Sequence, residues 1–444
     1  MSTQGRNIDR SIAALAFPAL GALVAEPLFL AVDSALVGHL GQAPLAGLAI
    51  ASAILTTAIG LMVFLAYSTT PLVARRRGSG DTRGAVQAGV DGLWLALGLG
   101  IAVAIVMWFG REMLVGFFSS SAEVAEQAVI YLGVSALGMP AMLLVFAATG
   151  LLRGMLDTVT PLTVAVIGFA VNAGLNWLFI YGFGWGIAGS AWGTVIAQWG
   201  MVLCYLIVIA KHVRRHGAGW LPQAEGLKHA GRSGGWLFVR TLGLRVALLA
   251  TVSAAATQGV STTAAYQIVF LVISITAFML DALAIAAQAL IGDALGASDE
   301  PRVRLVLSRT LRWGVRAALI IGVPVALVSP FVGRVFTNDA AVLGLLPPSI
   351  AAVGLTLPLA AIVYVLDGVL MGAGDARYLA IVSMGALVIY LPLLFFATQR
   401  APDGAPALLT ITLAFTVGLM ALRALTLAFR ARGGRWIVLG GERS

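Results

Sequence analysis

The sequence predicts an all-α polytopic membrane protein of twelve transmembrane helices, in two parallel six-helix bundles about a pseudo-twofold axis along the membrane normal. Three observations carry that expectation: composition, a succession of apolar runs of spanning length, and an internal repeat at constant offset. Of 444 residues, 60% are hydrophobic and 11% charged, against roughly 25% charged in an average soluble domain. Mean hydropathy is +0.97. Runs this long and apolar cannot all be hidden from water by folding, so the class is membrane-embedded.

A bilayer core of about 30 Å needs about 20 apolar helical residues. Reading for such runs, with Gly, Pro and charges as breaks, places spans at 12–37, 45–73, 84–109, 124–149, 160–181 and 187–210. Six more follow at 233–257, 263–291, 302–330, 342–371, 378–398 and 405–430. The first run begins so near the N-terminus that it resembles a secretory signal, but the repeat requires it as a mature helix. Several spans exceed the minimum, which implies tilt or kinks. Pro18 and Pro27 supply kinks in the first span, Pro140 in the fourth, and Pro324, Pro358 and Pro392 later.

The net charge of +9 sits in short connectors, not in a nucleic-acid-binding stripe. Arg6, Arg10, Arg75 to Arg77, Arg83, Arg153, Lys211, Arg214, Arg215, Lys228 and Arg232 lie on one side. So do Arg302, Arg304, Arg377, Arg430, Arg432 and Arg435, whereas the opposite side carries only Arg111, Arg334 and Arg400. The basic side is expected to be cytoplasmic and to hold both termini. The expected address is the bacterial inner membrane, with the lipid bilayer as a partner. The lone cysteine, Cys204, lies in an apolar run and permits no disulfide framework.

Displaced by 218 residues, the chain matches itself. Gly41 falls on Gly259, Gly78 on Gly296, Asp81 on Asp299, Phe118 on Phe336 and Pro140 on Pro358. The block Gly150-Leu151-Leu152-Arg153-Gly154 with Asp157 falls on Gly368-Val369-Leu370-Met371-Gly372 with Asp375. Six spans per half is an even number, so both halves enter from one side and the repeats are parallel. The expected division is a lobe over 1–210, a cytoplasmic linker over 211–232 and a second lobe over 233–444, with an alternating-access cleft between lobes.

Ionisable residues inside spans are candidates for function, because insertion penalises them. Glu26 and Asp33 lie seven residues apart on nearly one face of the first span, flanking Pro27. Asp33 is about 6 Å below the outer end of that span, at 1.5 Å per residue. Asn172 and Asn176, at i and i+4, share a face of the fifth span at similar depth. If the two helices face each other, Asp33 sits in a polar pocket where a desolvated carboxylate could exchange a proton near neutral pH. The plainer alternatives are backbone bonding at the kink for Asp33, hydration for Glu26 and interhelical glue for the asparagines.

The second half offers Arg240, Arg245, Asp281, Gln288, Tyr364 and Asp367 as a substrate-cleft or second-lobe polar site. Arg240 or Arg245 could simply neutralise Asp281, or Arg240 could snorkel to the interface. The repeat places Thr251 opposite Asp33, Leu244 opposite Glu26, Val63 opposite Asp281 and Thr149 opposite Asp367. No membrane acid is duplicated, which favours specialised roles. By contrast Asp81, Asp299, Asp157 and Asp375 are duplicated in connectors and read as helix caps.

No G-x-x-x-x-G-K-[ST] and no G-x-S-x-G elbow occurs, and no His/Cys cluster has metal-ligand spacing. The reading is therefore not an enzyme, with no catalytic residues, no metal and no cofactor, and with an ion gradient as the energy source.

The stretch Val32-Asp33-Ser34-Ala35-Leu36-Val37-Gly38-His39-Leu40-Gly41 resembles the end of helix one in MATE (multidrug and toxic compound extrusion) transporters. Asn172 to Gln198, containing Gly182-Phe183-Gly184-Trp185-Gly186-Ile187-Ala188-Gly189, is similar to their helix five–six hairpin. Asp281 to Gln288 and Leu366 to Asp375 resemble the DinF branch, and the likeness covers essentially the whole chain.

The resemblance implies export of small hydrophobic, mostly cationic or amphipathic compounds against inward H⁺ flow, with Na⁺ as the alternative ion. It implies ion or drug coupling at the position of Asp33 together with polar residues of the fifth span, Asn172 matching a family Asn. With the intramembrane Glu26 added, the expected ion-coupling set is Asp33, Glu26, Asn172 and Asn176, with Asp33 as the proton carrier. Asn176 stands where some members carry Asp, and span seven has Arg240 and Arg245 rather than an acid; both departures disfavour Na⁺. Two rival readings are a lipid-linked oligosaccharide flippase of the same superfamily and a polytopic membrane transferase. The flippase would want a strongly cationic cleft. The transferase would want a cluster of acids or histidines, which the sequence lacks. A monomer is expected.

Overall fold

A computed structural model describes residues 3–118 and 121–441, all helix, turn and connector, with no strand among the described residues. The first half runs α1 (Thr3–Gly38), α2 (Gln42–Met62), α3 (Phe64–Gly78), α4 (Thr82–Gly116), α5 (Ala122–Ala136), α6 (Met139–Gly154), α7 (Val159–Trp177) and α8 (Gly186–His216). The second runs α9 (Ala224–Ala256), α10 (Val260–Gly296), α11 (Glu300–Val332), α12 (Ala340–Gly372), α13 (Ala376–Arg400), α14 (Ala405–Leu413) and α15 (Met420–Arg432). π-turns at Leu178–Gly182 and Ala414–Leu419 extend α7 and join α14 to α15.

Among the described residues eleven stretches are long and apolar enough to cross a bilayer, and the α5–α6 pair, bent by 49°, makes a twelfth span. That bend falls at Pro140, in the first turn of α6; proline has no N–H to donate and clashes with the preceding turn. In contrast, Pro18 and Pro27 both lie inside the single helix α1. The second span is two helices, interrupted at Val63.

The 218-residue register recurs in the backbone. Left-handed φ angles come in pairs at that spacing: Gly41 (126°) and Gly259 (102°), Gly80 (85°) and Ser298 (57°), Leu156 (64°) and Gly374 (70°), Gly186 (57°) and Gly404 (87°). The caps repeat as well. Asp81 accepts from the Gly84 N–H at 2.8 Å and Asp299 from the Arg302 N–H at 3.0 Å.

Helix seams repeat in the same way. A Cβ on Gly150 would lie 2.8 Å from the Ala66 carbonyl oxygen, and one on Gly154 would lie 2.8 Å from that of Thr70. At Gly368 and Gly372 the corresponding atoms are the Ala284 and Gln288 oxygens, at 2.3 and 2.4 Å. Small residues spaced by four thus let α6 close on α3 and α12 on α10, as membrane seams require when apolar burial gives no driving force between helices. A Gly372→Val chain should unfold earlier in detergent, by about 1–3 kcal/mol for overpacking. Gly385→Ala, where a Cβ meets open space, should be neutral in the same melt.

The backbone divides into two compact units, Phe17–Gly234 and Gly235–Ser444 with Met1–Ala16. These boundaries differ from the lobes expected over 1–210 and 233–444 at two places. First, the connector belongs to the first unit because α4 holds it. Gln87 donates to the Leu221 carbonyl (3.0 Å), the Gly219 N–H donates to Gln87 (2.9 Å) and the Gln223 N–H donates to Asp91 (2.9 Å). The Trp94 indole donates to the Trp220 carbonyl at 2.8 Å. Secondly, the start of α1 belongs to the second unit, where Arg309 and Trp313 of α11 donate to Asp9 at 2.9 and 3.1 Å. In register, Arg309 is the counterpart of Asp91, so the leading segment of each sequence half docks on the third span of the other. Hydropathy marks where a span begins and carries no record of these polar side contacts.

Candidate ion-coupling site in the first unit

Four spans meet at Asp33, one turn before the end of α1. Its carboxylate is 3% exposed. Oδ1 accepts from Asn176 Nδ2 at 2.8 Å and from Ser190 Oγ at 2.5 Å. Oδ2 accepts from the Tyr131 hydroxyl at 3.2 Å. All three donors are neutral. Asn172, one turn before Asn176 on α7, donates instead to Thr194 Oγ1 of α8 at 3.0 Å.

Local sequence explains the convergence. The turn after α7 carries Gly184 and Gly186 at positive φ, 70° and 57°, a conformation that glycine adopts without steric penalty. A Cβ on Gly193 of α8 would lie 2.1 Å from Asn176 Oδ1, so glycine there makes room for the amide. The π-turn Leu178–Gly182 begins two residues after Asn176; such widened turns concentrate at functional sites. Two buried atoms remain without a hydrogen-bond partner among the described residues, Asn172 Oδ1 and Asn176 Oδ1.

Of the four residues expected here, the structure brings Asp33 and Asn176 into contact, while Asn172 bonds to Thr194 instead of Asp33. The side chain of Glu26 lies outside the described residues. Sequence reading missed Tyr131 and Ser190. Ser190 lies within the Asn172–Gln198 stretch already singled out, whereas Tyr131 reads as an ordinary apolar-span tyrosine.

In the second unit, Asp367 of α12 pairs with two guanidinium groups, Arg240 of α9 and Arg423 of α15, both on Oδ2. The three are buried, while Asp367 Oδ1 has no hydrogen-bond partner. Tyr364 lies one turn away, within electrostatic reach of Asp367, Asp281 and both arginines. Gln288 sits apart, its backbone packed beneath Gly372. Arg245 is exposed and is not one of the two arginines paired with Asp367. Arg423 escaped the sequence reading because it lies near the basic end of its span, where an arginine normally snorkels. Asp91, fully buried in α4, was missed for a similar reason.

The MatE family profile matches this chain twice, over residues 18–178 and 239–396, once in each half. The chain is 30% identical to Protein DETOXIFICATION 43 of Arabidopsis thaliana, over 98% of this chain and 93% of that protein. It is 26% identical to DNA damage-inducible protein F of Escherichia coli (strain K12), over 96% and 94%. Its fold superposes on the crystal structure of a mutant of the Vibrio cholerae MATE transporter VcmN with a TM-score of 0.88, at 20% identity, covering 98% and 100% of the two chains. With both halves matched by the profile and a relative aligned along nearly its whole length, this protein is a multi-pass membrane transporter of the MATE family.

Proposed function

We propose that the chain is a secondary active efflux antiporter, which exports amphipathic, often cationic compounds in exchange for H⁺ by alternating access. The observation that carries this reading is the chemistry around Asp33: a buried carboxylate with three neutral donors and no ion-pair partner among the described residues. Such a group can take and release a proton without breaking a salt bridge. Two of its partners are hydroxyls, which rotate from donor to acceptor when the carboxyl gains a hydrogen. Asp367 differs, because protonation there would leave two buried guanidinium groups short of a counter-charge. Asp33 is therefore the proton carrier, Asn176 and Asn172 shape its pocket, and the Asp367 cluster holds α9, α12 and α15 together. The export reading also leans on relatives named for detoxification and multidrug resistance.

On this reading both termini face the cytoplasm of a bacterial inner membrane, the working unit is a monomer, and neither cofactor nor chemical catalysis is involved. One observation favours Na⁺ as a second reading. The unpartnered amide oxygens of Asn172 and Asn176 lie beside a carboxylate, and hard cations take oxygen ligands of this kind.

Proteoliposomes containing an internal pH dye discriminate the two. Under an imposed proton gradient and no sodium, adding ethidium should drive proton flux. A requirement for Na⁺ would move the coupling to the second reading. Silence under both gradients, with several amphipathic cations, would remove the drug-export reading altogether.

A further inference from the structure

The helix faces of the second unit hold a groove of about 690 Å³ between α11, α12 and α15. Its walls are apolar, with Leu311 and Val315 of α11 against Ile362 of α12, and its rim carries Arg304, Arg312, Arg316 and Arg432. Five arginines of α11 and α15 are committed to carboxylates, Arg304 of the rim among them. Arg302 pairs with Asp293, Arg304 with Glu300, Arg309 with Asp9, Arg423 with Asp367 and Arg430 with Asp375. Arg312, Arg316 and Arg432 have no carboxylate partner among the described residues, are exposed, and converge on this one groove.

The repeat shows what covers the matching place in the other half. Trp94 is the counterpart of Arg312, and its indole is bonded to the connector at Trp220. Among the described residues Arg312 makes no such bond. The described chain after α15 turns towards α10 instead, where the Gly440 N–H donates to the Leu295 carbonyl. Beyond the groove the same faces continue as bare hydrocarbon: Ile320 is 73% exposed on α11, and Leu425 and Phe429 are 71% and 81% exposed on α15. Such faces on spanning helices meet lipid. The groove is thus an apolar slot lined by three arginines without a carboxylate partner among the described residues, Arg312 and Arg316 partway along α11 and Arg432 at the end of α15.

We infer that this groove binds an anionic phospholipid of the adjacent leaflet, its phosphodiester held by Arg312, Arg316 and Arg432 and an acyl chain laid along Leu311, Val315 and Ile362. Arg312 and Arg316 are neighbours at i and i+4 on one face, and Arg432 reaches the rim from the facing helix. Guanidinium groups suit phosphate oxygens because their donors form a planar fork. Basic pockets between spans on the cytoplasmic side take phospholipid head groups for the same reason. A free inorganic anion would use the arginines and leave the apolar walls exposed. A zwitterionic lipid would use the walls and leave the charge excess uncompensated.

Native mass spectrometry of the full-length protein in neutral detergent, titrated with phosphatidylglycerol or phosphatidylcholine, tests this. One variant carries Arg312→Gln, Arg316→Gln and Arg432→Gln; a control carries Arg83→Gln, Arg214→Gln and Arg400→Gln, equally exposed and outside the groove. Phosphatidylglycerol should bind the unmodified and control proteins alike. The groove variant should bind it on the order of a hundredfold more weakly, about fivefold per charge near an anionic surface. Equal weakening in both variants would reduce the effect to overall charge and overturn the proposal. Equal retention of phosphatidylcholine would overturn it, and so would displacement of the lipid by inorganic phosphate at matched concentration.

Discussion

Asp33→Asn should abolish drug-driven proton flux in proteoliposomes while leaving the protein folded. The substitution keeps the shape of the side chain and can still accept from Asn176 and Ser190, the two partners on Oδ1. It loses the capacity to carry a proton. Expression, monodispersity and melting temperature should stay close to wild type, which separates lost chemistry from lost structure. Graded effects are expected at the partners. Tyr131→Phe and Ser190→Ala each remove one hydroxyl, and each should slow turnover without eliminating coupling, because another hydroxyl still faces the carboxyl. Asn172→Ala, whose amide bonds to Thr194 and not to Asp33, should have the mildest effect. Wild-type flux in Asp33→Asn would sink the assignment of Asp33 as carrier, whatever the substrate proves to be. Normal flux in all three partner variants would show that the pocket is only structural.

Asp367→Ala should be the most destabilising substitution in the second unit. Removing the carboxylate leaves Arg240 and Arg423 buried together without a counter-charge, and breaking a buried pair in this way costs about 3–5 kcal/mol. The expected result is poor yield and early aggregation on heating in detergent. The triple replacement Asp367→Leu, Arg240→Met and Arg423→Met removes every charge at similar volume and should recover most of that loss, since uncompensated charge and not missing attraction makes the single change costly. Thermal unfolding of the two proteins side by side decides the matter. If the triple replacement folds and still couples drug to proton, the cluster is architectural. If it folds but transport is lost, the second unit contributes to substrate handling and the proton pocket is only half of the machine. A stable Asp367→Ala protein would overturn the reading of the cluster as a charge-balanced clamp.

Much of the architecture was legible in the chain. Span count follows from hydropathy because a bilayer leaves backbone polar groups no partner but the helix itself. The parallel repeat was readable because the same turns need the same unusual backbone: Gly41 and Gly259, or Gly186 and Gly404, hold positive φ in both halves. Gly150, Gly154, Gly368 and Gly372 stood out as a repeated block, and the structure showed that they are helix seams. Asp33 and the asparagines of α7 stood out as polar residues that a membrane penalises. The same logic passed over Tyr131 and Ser190, since neither is conspicuous in an apolar run, and over Arg423 and Asp91, which lie near span ends where charge is ordinary.

The amino-acid sequence by itself determined the class, the spans, the register between halves and Asp33 as a polar residue that a membrane penalises. Tertiary structure alone decided which side chains complete that pocket, that Asp367 is bound to two arginines instead of standing open, and that α4 holds the connector. The physical reason is one of range. Hydropathy and helix periodicity are properties of neighbouring residues along a chain. A hydrogen bond from Tyr131 to Asp33, or a charge pair from Arg423 to Asp367, joins residues separated by 98 and 56 positions, and nothing local records it.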